Sequence, residues 1–364
     1  MRIVLSGYYG FDNAGDEALV TAISSSLRSG NDSLEITVLS GNPKQTARAH
    51  GVRAVSRVNP LVLIKELYQA DLLISGGGSL LQDVTGPLSI PYYLGIVVLA
   101  KLLKTPVAFY AQGVGPVNGK AGRWLIKVVA NRVDLITLRD AESAQFLEEI
   151  GVSIPPISVT ADPVFSLRPG AEELAEAKDY LASLGIDQSQ GILGISLRSW
   201  TNFSDQQISL FLDNLTEHGL QLLLLPLQHP ADLEYSRRIN RLMKKPAVIA
   251  EKPMSSIQLM GLISHLSALV GMRLHSLIFA ACEGIPFEGI SYDPKVETFL
   301  QEFGKEPLFS DDKFDPAAIE EKAIKSISNY PAQYTGIQQQ VIHLKEKADI
   351  NTRLVTQLLQ RPRT

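Results

Sequence analysis

Apolar runs of strand length alternate along most of this chain with stretches in which apolar positions recur at helical spacing. The first series predicts strands at 3–6, 35–40, 72–75, 107–112, 135–139 and 157–160, with helices near 17–28, 60–70, 92–104, 122–131 and 140–150. A second series starts after Pro169. It predicts strands at 192–197, 221–226, 247–249 and 266–270, and helices at 171–184, 206–218, 232–242, 255–264 and directly after His275. Regular strand and helix alternation is the pattern of a parallel sheet covered on both faces. The expected architecture is α/β, with two tandem Rossmann-like domains and a cleft between them. Residues 1–166 form the first domain and residues 167–331 the second, joined by a hinge from Asp162 to Gly170. A last helical segment, 332–364, has no strand after it and is expected to pack back toward the first domain.

The chain has 364 residues, 45% of them hydrophobic, which exceeds what one core normally supports and agrees with two domains. A net charge of −4 and an isoelectric point near 5.9 argue against nucleic acid as a partner. Cys282 is the single cysteine, so no disulfide forms within the chain, and a reducing compartment is the simplest one. The first strand is too short for the apolar part of a signal peptide, and the longest apolar run, near 92–103, is too short to span a bilayer. A cytoplasmic protein is expected, with room for contact at a membrane surface.

The most informative chemistry lies in Gly271-Met272-Arg273-Leu274-His275-Ser276, between the predicted strand 266–270 and an apolar helix. A histidine in such a place is more often a packed core residue. Arg273 changes the reading, because a guanidinium is rarely buried without an anion and its fork matches phosphate or carboxylate oxygens. In open α/β sheets the carboxyl ends of strands are where ligands bind. Arg198 follows the strand at 192–197, and Lys295 closes Ser291-Tyr292-Asp293-Pro294-Lys295 after the apolar run 285–290. Three cations and His275 at one edge predict a site for a small, multiply charged anion. His229 and His265 lack such company, and His265 reads as structural.

Three strand ends in the first half carry small or polar residues. Gly7 to Leu19 matches neither a dinucleotide fingerprint nor a P-loop, and Asp16 and Glu17 at the helix start would repel a pyrophosphate. They suit sugar hydroxyls, and Asn13 can bond in both directions, although ordinary helix capping uses the same residue types. Ser75 to Asp83 contains Gly76, Gly77, Gly78 and Gln82, and Tyr110 to Pro116 contains Gln112. Together they predict a binding surface for a polar ligand. No residues have metal-ligand spacing, no Gly-x-Ser-x-Gly elbow is present, and adjacent Asp16 and Glu17 do not make a glycosidase pair.

In these segments the chain resembles the polysaccharide pyruvyl transferases. The similar elements are Asp12-Asn13-Ala14-Gly15-Asp16-Glu17-Ala18, Gly76 to Asp83, Gln112-Gly113-Val114-Gly115-Pro116, Arg139-Asp140 with Ser143, and Arg273-Leu274-His275-Ser276. They extend over about residues 1 to 300 and look most like the bacterial cell-wall enzymes of the CsaB type. The resemblance implies a GT-B-like fold, phosphoenolpyruvate as co-substrate with no cofactor, and a 4,6-linked pyruvyl ketal on a hexose. For the CsaB type the hexose is an N-acetylmannosamine of a lipid-linked precursor of a polymer that anchors surface-layer proteins.

On that basis Arg198, Arg273, Leu274, His275 and Lys295 are expected to hold the donor, with His275 as the acid that protonates its methylene carbon. Asn13, Asp16, Glu17, Gly77, Gly78, Gln82 and Gln112 are expected to hold the acceptor, with Asp16 as base. A lipid-linked acceptor is met at a membrane, and residues 101–132 carry six basic and no acidic side chains. A helix presenting Arg123, Trp124 and Lys127 is the expected contact with anionic lipid. A nucleotide-sugar glycosyltransferase would use the same architecture, with its diphosphate near Arg273 and Lys295. A carbohydrate-binding protein without catalysis is a third alternative.

Overall fold

The computed structural model describes residues 1–29, 31, 33–84, 86, 88–200, 204–291, 293–309 and 315–361, and only the backbone of 330–333. The chain divides into two compact units. The first comprises Met1–Phe11, Asp16–Ser166 and His343–Thr364, and the second Asp12–Gly15 and Leu167–Ile342.

The first unit is built on seven parallel strands: β1 (Arg2–Tyr9), β2 (Glu35–Ser40), β3 (Arg53–Ser56), β4 (Leu72–Leu81), β5 (Val107–Val114), β6 (Leu135–Leu138) and β7 (Ile157–Val159). Their order is β3-β2-β1-β4-β5-β6-β7, which reverses direction between β1 and β4. The central strands read as unbroken apolar runs because helices cover both faces of the sheet. Leu73, Val97, Phe109, Ile126, Ile136 and Leu147 lie at the heart of one such layer.

The second unit has five parallel strands: β8 (Ile192–Ser196), β9 (Gln221–Leu224), β10 (Val248–Ile249), β11 (Ala268–Gly271) and β12 (Phe287–Gly289). Their order is β10-β9-β8-β11-β12, with the reversal between β8 and β11. Ile195, Phe211, Leu224, Val270 and Met272 are among its core residues.

Local sequence explains where many helices begin. Asn42-Pro43, Asn59-Pro60, Asp293-Pro294 and Asp315-Pro316 each put an Asx side chain at the N-cap and proline in the first turn. In all four the Asx oxygen accepts a backbone N–H two or three residues on. Ser204 and Ser255 form capping boxes with Gln207 and Gln258.

Three expectations need correction. The glycine triplet was predicted to be a loop after a strand ending at Ser75, yet β4 continues to Leu81, with Gly76 opposite Tyr110 and Gly78 opposite Gln112 on β5. A Cβ on Gly76 would lie 2.3 Å from the Tyr110 carbonyl oxygen, and Gly77 and Gly78 have φ of +73° and +82°. Glycine is therefore what allows the two strands to stay paired through this stretch. Edge strands β3 and β12 and the helices at Pro43–His50, Pro294–Glu302 and Pro316–Ser328 were not foreseen. The third correction concerns the limits of the units. Asp12–Gly15 belongs to the second unit, and the final helix, Tyr330–Leu359, belongs to the first from His343 onward. There Asn351 accepts from the Thr160 hydroxyl and donates to the Ala161 carbonyl, and Thr352 bonds to the buried Tyr110 hydroxyl.

Candidate functional site

In the second unit, β8 and β11 run side by side with Ser196 opposite Gly271, and the two segments leaving them carry Arg198 and Arg273. They stay in step beyond the sheet: Met272 N donates to Ser196 O at 2.8 Å, and Arg198 N lies 3.5 Å from Met272 Sδ. Half-buried Arg198 places its guanidinium 5.7 Å from the Trp200 ring. Arg273 is the residue just before the helix Leu274–Cys282, in extended conformation, so its side chain leaves the strand end rather than continuing the helix face.

The Arg273 guanidinium is buried and paired. Its Nε donates to Asp232 Oδ2 at 3.0 Å, and its Nη2 donates to Asp232 Oδ1 and to Gln228 Oε1, the latter at 2.9 Å. Asp232 is only 2% exposed and also accepts the backbone N–H of Gln228 at 2.9 Å. The arginine is thus held in one orientation by two partners that the sequence reading did not assign to it. Lys295 likewise pairs with Asp293, Nζ to Oδ2 at 2.9 Å. The three expected cations Arg198, Arg273 and Lys295 therefore come with two carboxylates, and the edge is less positive than their count implies. Tyr292, just before Asp293 in sequence, lies outside the described residues.

Leu274 is buried, so its apolar side chain faces the core and its backbone N–H opens the first turn of the helix. His275 follows, half-buried, with its ring 6.2 Å from that of Phe279. Another neighbour comes from the start of the chain. A Cβ on Gly15 would stand 2.1 Å from His275 Nδ1, so the glycine backbone lies directly against the imidazole. The segment Asp12–Gly15 is fastened to residues 227–229 by Ala14 N to Leu227 O at 2.8 Å and His229 N to Asp12 O at 3.1 Å. Ser256 Oγ adds a bond to Ala14 O at 2.7 Å, and Asn13 Oδ1 accepts from Gly15 N at 3.1 Å. His265 bonds the Leu174 carbonyl at 3.1 Å, away from this group.

In the first unit, Asp16 and Glu17 occupy the first turn of the helix Ala14–Arg28. Glu17 is engaged on both oxygens, accepting from Gly10 N at 2.8 Å and meeting His50 Nε2 at 2.7 Å. Half-buried Asp16 lies beside the glycine triplet, where a Cβ on Gly78 would be 3.2 Å from its Oδ1. Tyr9 is fully buried, donates to the Gly76 carbonyl, and has its phenol pushed well above its ordinary range by burial and then by the charge of Asp16. Gln112 is also fully buried. Its Nε2 donates to Gly78 O at 3.4 Å, while its Oε1 has no partner among the described residues. Gln82 sits half-buried just after β4. Arg139 Nη2 donates to Ser79 Oγ at 2.9 Å, Asp140 caps the next helix through Ser143 N at 2.7 Å, and Ser143 Oγ accepts from Val114 N at 2.9 Å. Arg139, Asp140 and Ser143 therefore brace the ends of β4 and β5.

Sequence reading missed Asp232 because nothing nearby marks it: its partner is 41 residues away. It also missed Glu283, whose carboxyl, just beyond the helix Leu274–Cys282, is pushed up to about 7 by burial, with Arg168 pulling it partly back.

Two parallel-sheet units, each with its sheet reversal flanked by polar strand ends, define the GT-B-like class of α/β enzymes, and solved structures agree. The UDP-GlcNAc 2-epimerase of Neisseria meningitidis superposes with a TM-score of 0.67 at 13% identity, over 99% of this chain and all of that one. A glycosyltransferase from Rickettsia africae gives 0.68 at 11% identity, over 99% of both chains. At such identities the likeness is one of fold. The chain itself belongs to the polysaccharide pyruvyl transferase family, which it matches over residues 13–294. It is also 21% identical to the amylovoran biosynthesis protein AmsJ of Erwinia amylovora, over 96% of this chain and 97% of that one. It is accordingly a transferase.

Proposed function

We propose that the enzyme moves the pyruvyl group of phosphoenolpyruvate onto a hexose as a 4,6-ketal and releases phosphate, the hexose being an N-acetylmannosamine in a lipid-linked cell-wall precursor. The observation that carries this is the strand-end segment Arg273-Leu274-His275, in which a guanidinium fixed by Asp232 and Gln228 stands two residues from an imidazole. A donor bearing both phosphate and carboxylate needs rigid N–H donors, and a pre-oriented arginine recognises such oxygens without first having to order itself. Arg198, Lys295 and the Leu274 backbone N–H complete the donor set.

Protonation of the methylene carbon, here given to His275, creates positive character at the neighbouring carbon. One sugar hydroxyl adds there, and phosphate departs with the electrons of its C–O bond. The second hydroxyl then closes the ketal. The methylene gains one proton, the two hydroxyls lose two, and the difference leaves with phosphate; no carbon is oxidised or reduced overall, so no cofactor is needed. Asp16 is the base or hydroxyl-orienting group, with Asn13, Gln82, Gln112 and the Gly77 and Gly78 backbone around the acceptor. Glu17, held by His50 and Gly10, acts as a brace for that loop rather than as a direct ligand.

Phosphate release from phosphoenolpyruvate against a panel of lipid-linked and soluble amino-sugar acceptors tests this directly. The expected result is acceptor-dependent release. No release with any acceptor, together with thermal stabilisation by a uridine diphosphate sugar and none by phosphoenolpyruvate, would make the enzyme a nucleotide-sugar transferase instead.

A further inference from the structure

Four aromatic side chains are exposed among the described residues, and three of them, Tyr68, Trp124 and Tyr334, stand on helices. The fourth, Tyr8, is 37% exposed at the carboxyl end of β1, the side of a parallel sheet on which ligands bind. Its ring stacks on that of Phe11, with centroids 4.3 Å apart and planes 13° from parallel. The Arg57 guanidinium lies over Phe11 as well, 5.1 Å from the ring centre.

Much of the local backbone serves to place this stack. The register of β1 on β2 shifts between Ser6, opposite Leu39, and Tyr9, opposite Ser40, so the residues between them bulge, a device by which strands re-aim side chains. A Cβ on Gly7 would stand 2.3 Å from Tyr9 Cζ, and one on Gly41 would stand 2.7 Å from Phe11 Cζ; both glycines make room for rings. Arg57 follows β3 directly and donates its N–H to Ser40 O at 3.1 Å. The helix Ser89–Leu102 fixes its side chain. Nε donates to the Tyr92 hydroxyl at 3.0 Å and Nη2 to the Tyr93 hydroxyl at 3.4 Å, while the Tyr92 hydroxyl donates back to Arg57 O at 2.8 Å. Nη1 is enclosed without a partner, and among the described residues no carboxylate pairs with this guanidinium. It serves as a flat support for the rings rather than as an anion ligand.

The stack belongs to the same strand ends as the proposed base. Burial pushes the Tyr93 phenol up to about 12; Arg57 pulls it back and the charge of Asp16 adds to it, so Tyr93 is near both. Tyr9 is buried, bonds Gly76 and feels Asp16, whereas Tyr8 turns out to solvent. We infer that Tyr8, stacked on Phe11 and supported by Arg57, is a platform for a pyranose ring: the sugar next along the saccharide from the one that takes the pyruvyl group. The inference rests on the reading that a saccharide acceptor binds beside Asp16. A pyranose has hydroxyls around its rim and C–H groups on its faces, so it meets carboxylates and amides edge-on and a flat aromatic ring face-on. Asp16 and Glu17 favour this occupant over a nucleotide, whose phosphates they would repel. Acceptors of two or more sugars then gain affinity that a single sugar does not.

Calorimetric titration of the full chain with a panel of hexose and N-acetylhexosamine monosaccharides and their disaccharides tests it without donor. At least one disaccharide is expected to bind about tenfold or more tighter than its monosaccharides. Tyr8→Ala should bring that ratio to within about threefold of unity, Tyr8→Phe should keep it, and Arg57→Lys, which cannot present a flat plate, should reduce it. Tyr8 is exposed, and a melting curve matching the parent's identifies its variants as folded. The inference is overturned if no disaccharide outbinds its monosaccharides, or if Tyr8→Ala keeps the gain. It also fails if the parent binds uridine diphosphate and Tyr8→Ala abolishes that binding, which would make the platform a nucleobase site. Phosphate release on the same panel separates the two readings. Acceptor-dependent release with a gain insensitive to Tyr8 removes the platform and leaves pyruvyl transfer standing; disaccharide binding sensitive to Tyr8 without any release does the reverse.

Discussion

Gly15 lies against the imidazole of His275, so close that a Cβ on the glycine would be 2.1 Å from Nδ1. Two segments 260 residues apart in sequence thus meet inside the second unit, and the loop from the first strand fixes one side of the histidine proposed as the acid.

Gly15→Ala is expected to force the ring aside, since the segment from Asp12 to Gly15 is tied down by bonds to Leu227, His229 and Ser256 and cannot easily retreat. Turnover should fall by about tenfold to a hundredfold, as displacement of a reacting group by about an ångström does, while the melting temperature changes little. Steady-state kinetics and thermal melts on the same preparation check both halves.

His275→Ala should lower kcat by about a hundredfold to ten-thousandfold with little change in the KM for phosphoenolpyruvate, the loss typical of a general acid. Near-normal turnover in this variant, alongside an inactive Arg273→Ala, would remove the acid from His275 and leave only the anion-binding role of Arg273.

Asp232→Ala strands the buried Arg273 charge and should destabilise the protein by about 3–5 kcal/mol, measured by urea unfolding. Asp232→Asn keeps the shape and one acceptor. It is expected to cost less stability but to raise the KM for phosphoenolpyruvate, because the guanidinium loses its fixed orientation.

Glu283 makes stability depend on pH. Its folded-state pKa, pushed from 4.5 to about 7, means that the folded chain keeps a proton which the unfolded chain has released. Its contribution is therefore most favourable below the unfolded value and declines as pH rises through about 7. Burial is incomplete, so solvent reduces the effect, and Glu283→Gln should gain on the parent by about 1–2 kcal/mol between roughly pH 5 and pH 8. Unfolding midpoints across that range read the difference directly, and parallel curves would contradict it.

Gly76→Ala places a methyl 2.3 Å from the Tyr110 carbonyl oxygen in the middle of the pairing between β4 and β5. A loss of about 3 kcal/mol is expected from overpacking, with calorimetry as the check.

Most strands were legible because parallel strands buried on both faces must be apolar along most of their length, as 72–74 and 107–111 are. The two that were missed lie at sheet edges. β3 is partly exposed and reads Arg-Ala-Val-Ser, and β12 spans three residues with Glu288 among them, its carboxylate bonded to Lys305. The glycine triplet was read as a loop because local propensity opposes glycine in a strand. The close approach of the Tyr110 backbone, which demands it, is a nonlocal fact.

The sequence by itself determined the parallel α/β class, since hydrophobic period and turn chemistry are local. Only the tertiary structure decided what the candidate site residues meet. It gave Arg273 to Asp232, Glu17 to His50, and His275 to Gly15, because electrostatic pairing and close packing depend on distances in space that spacing along a chain does not record.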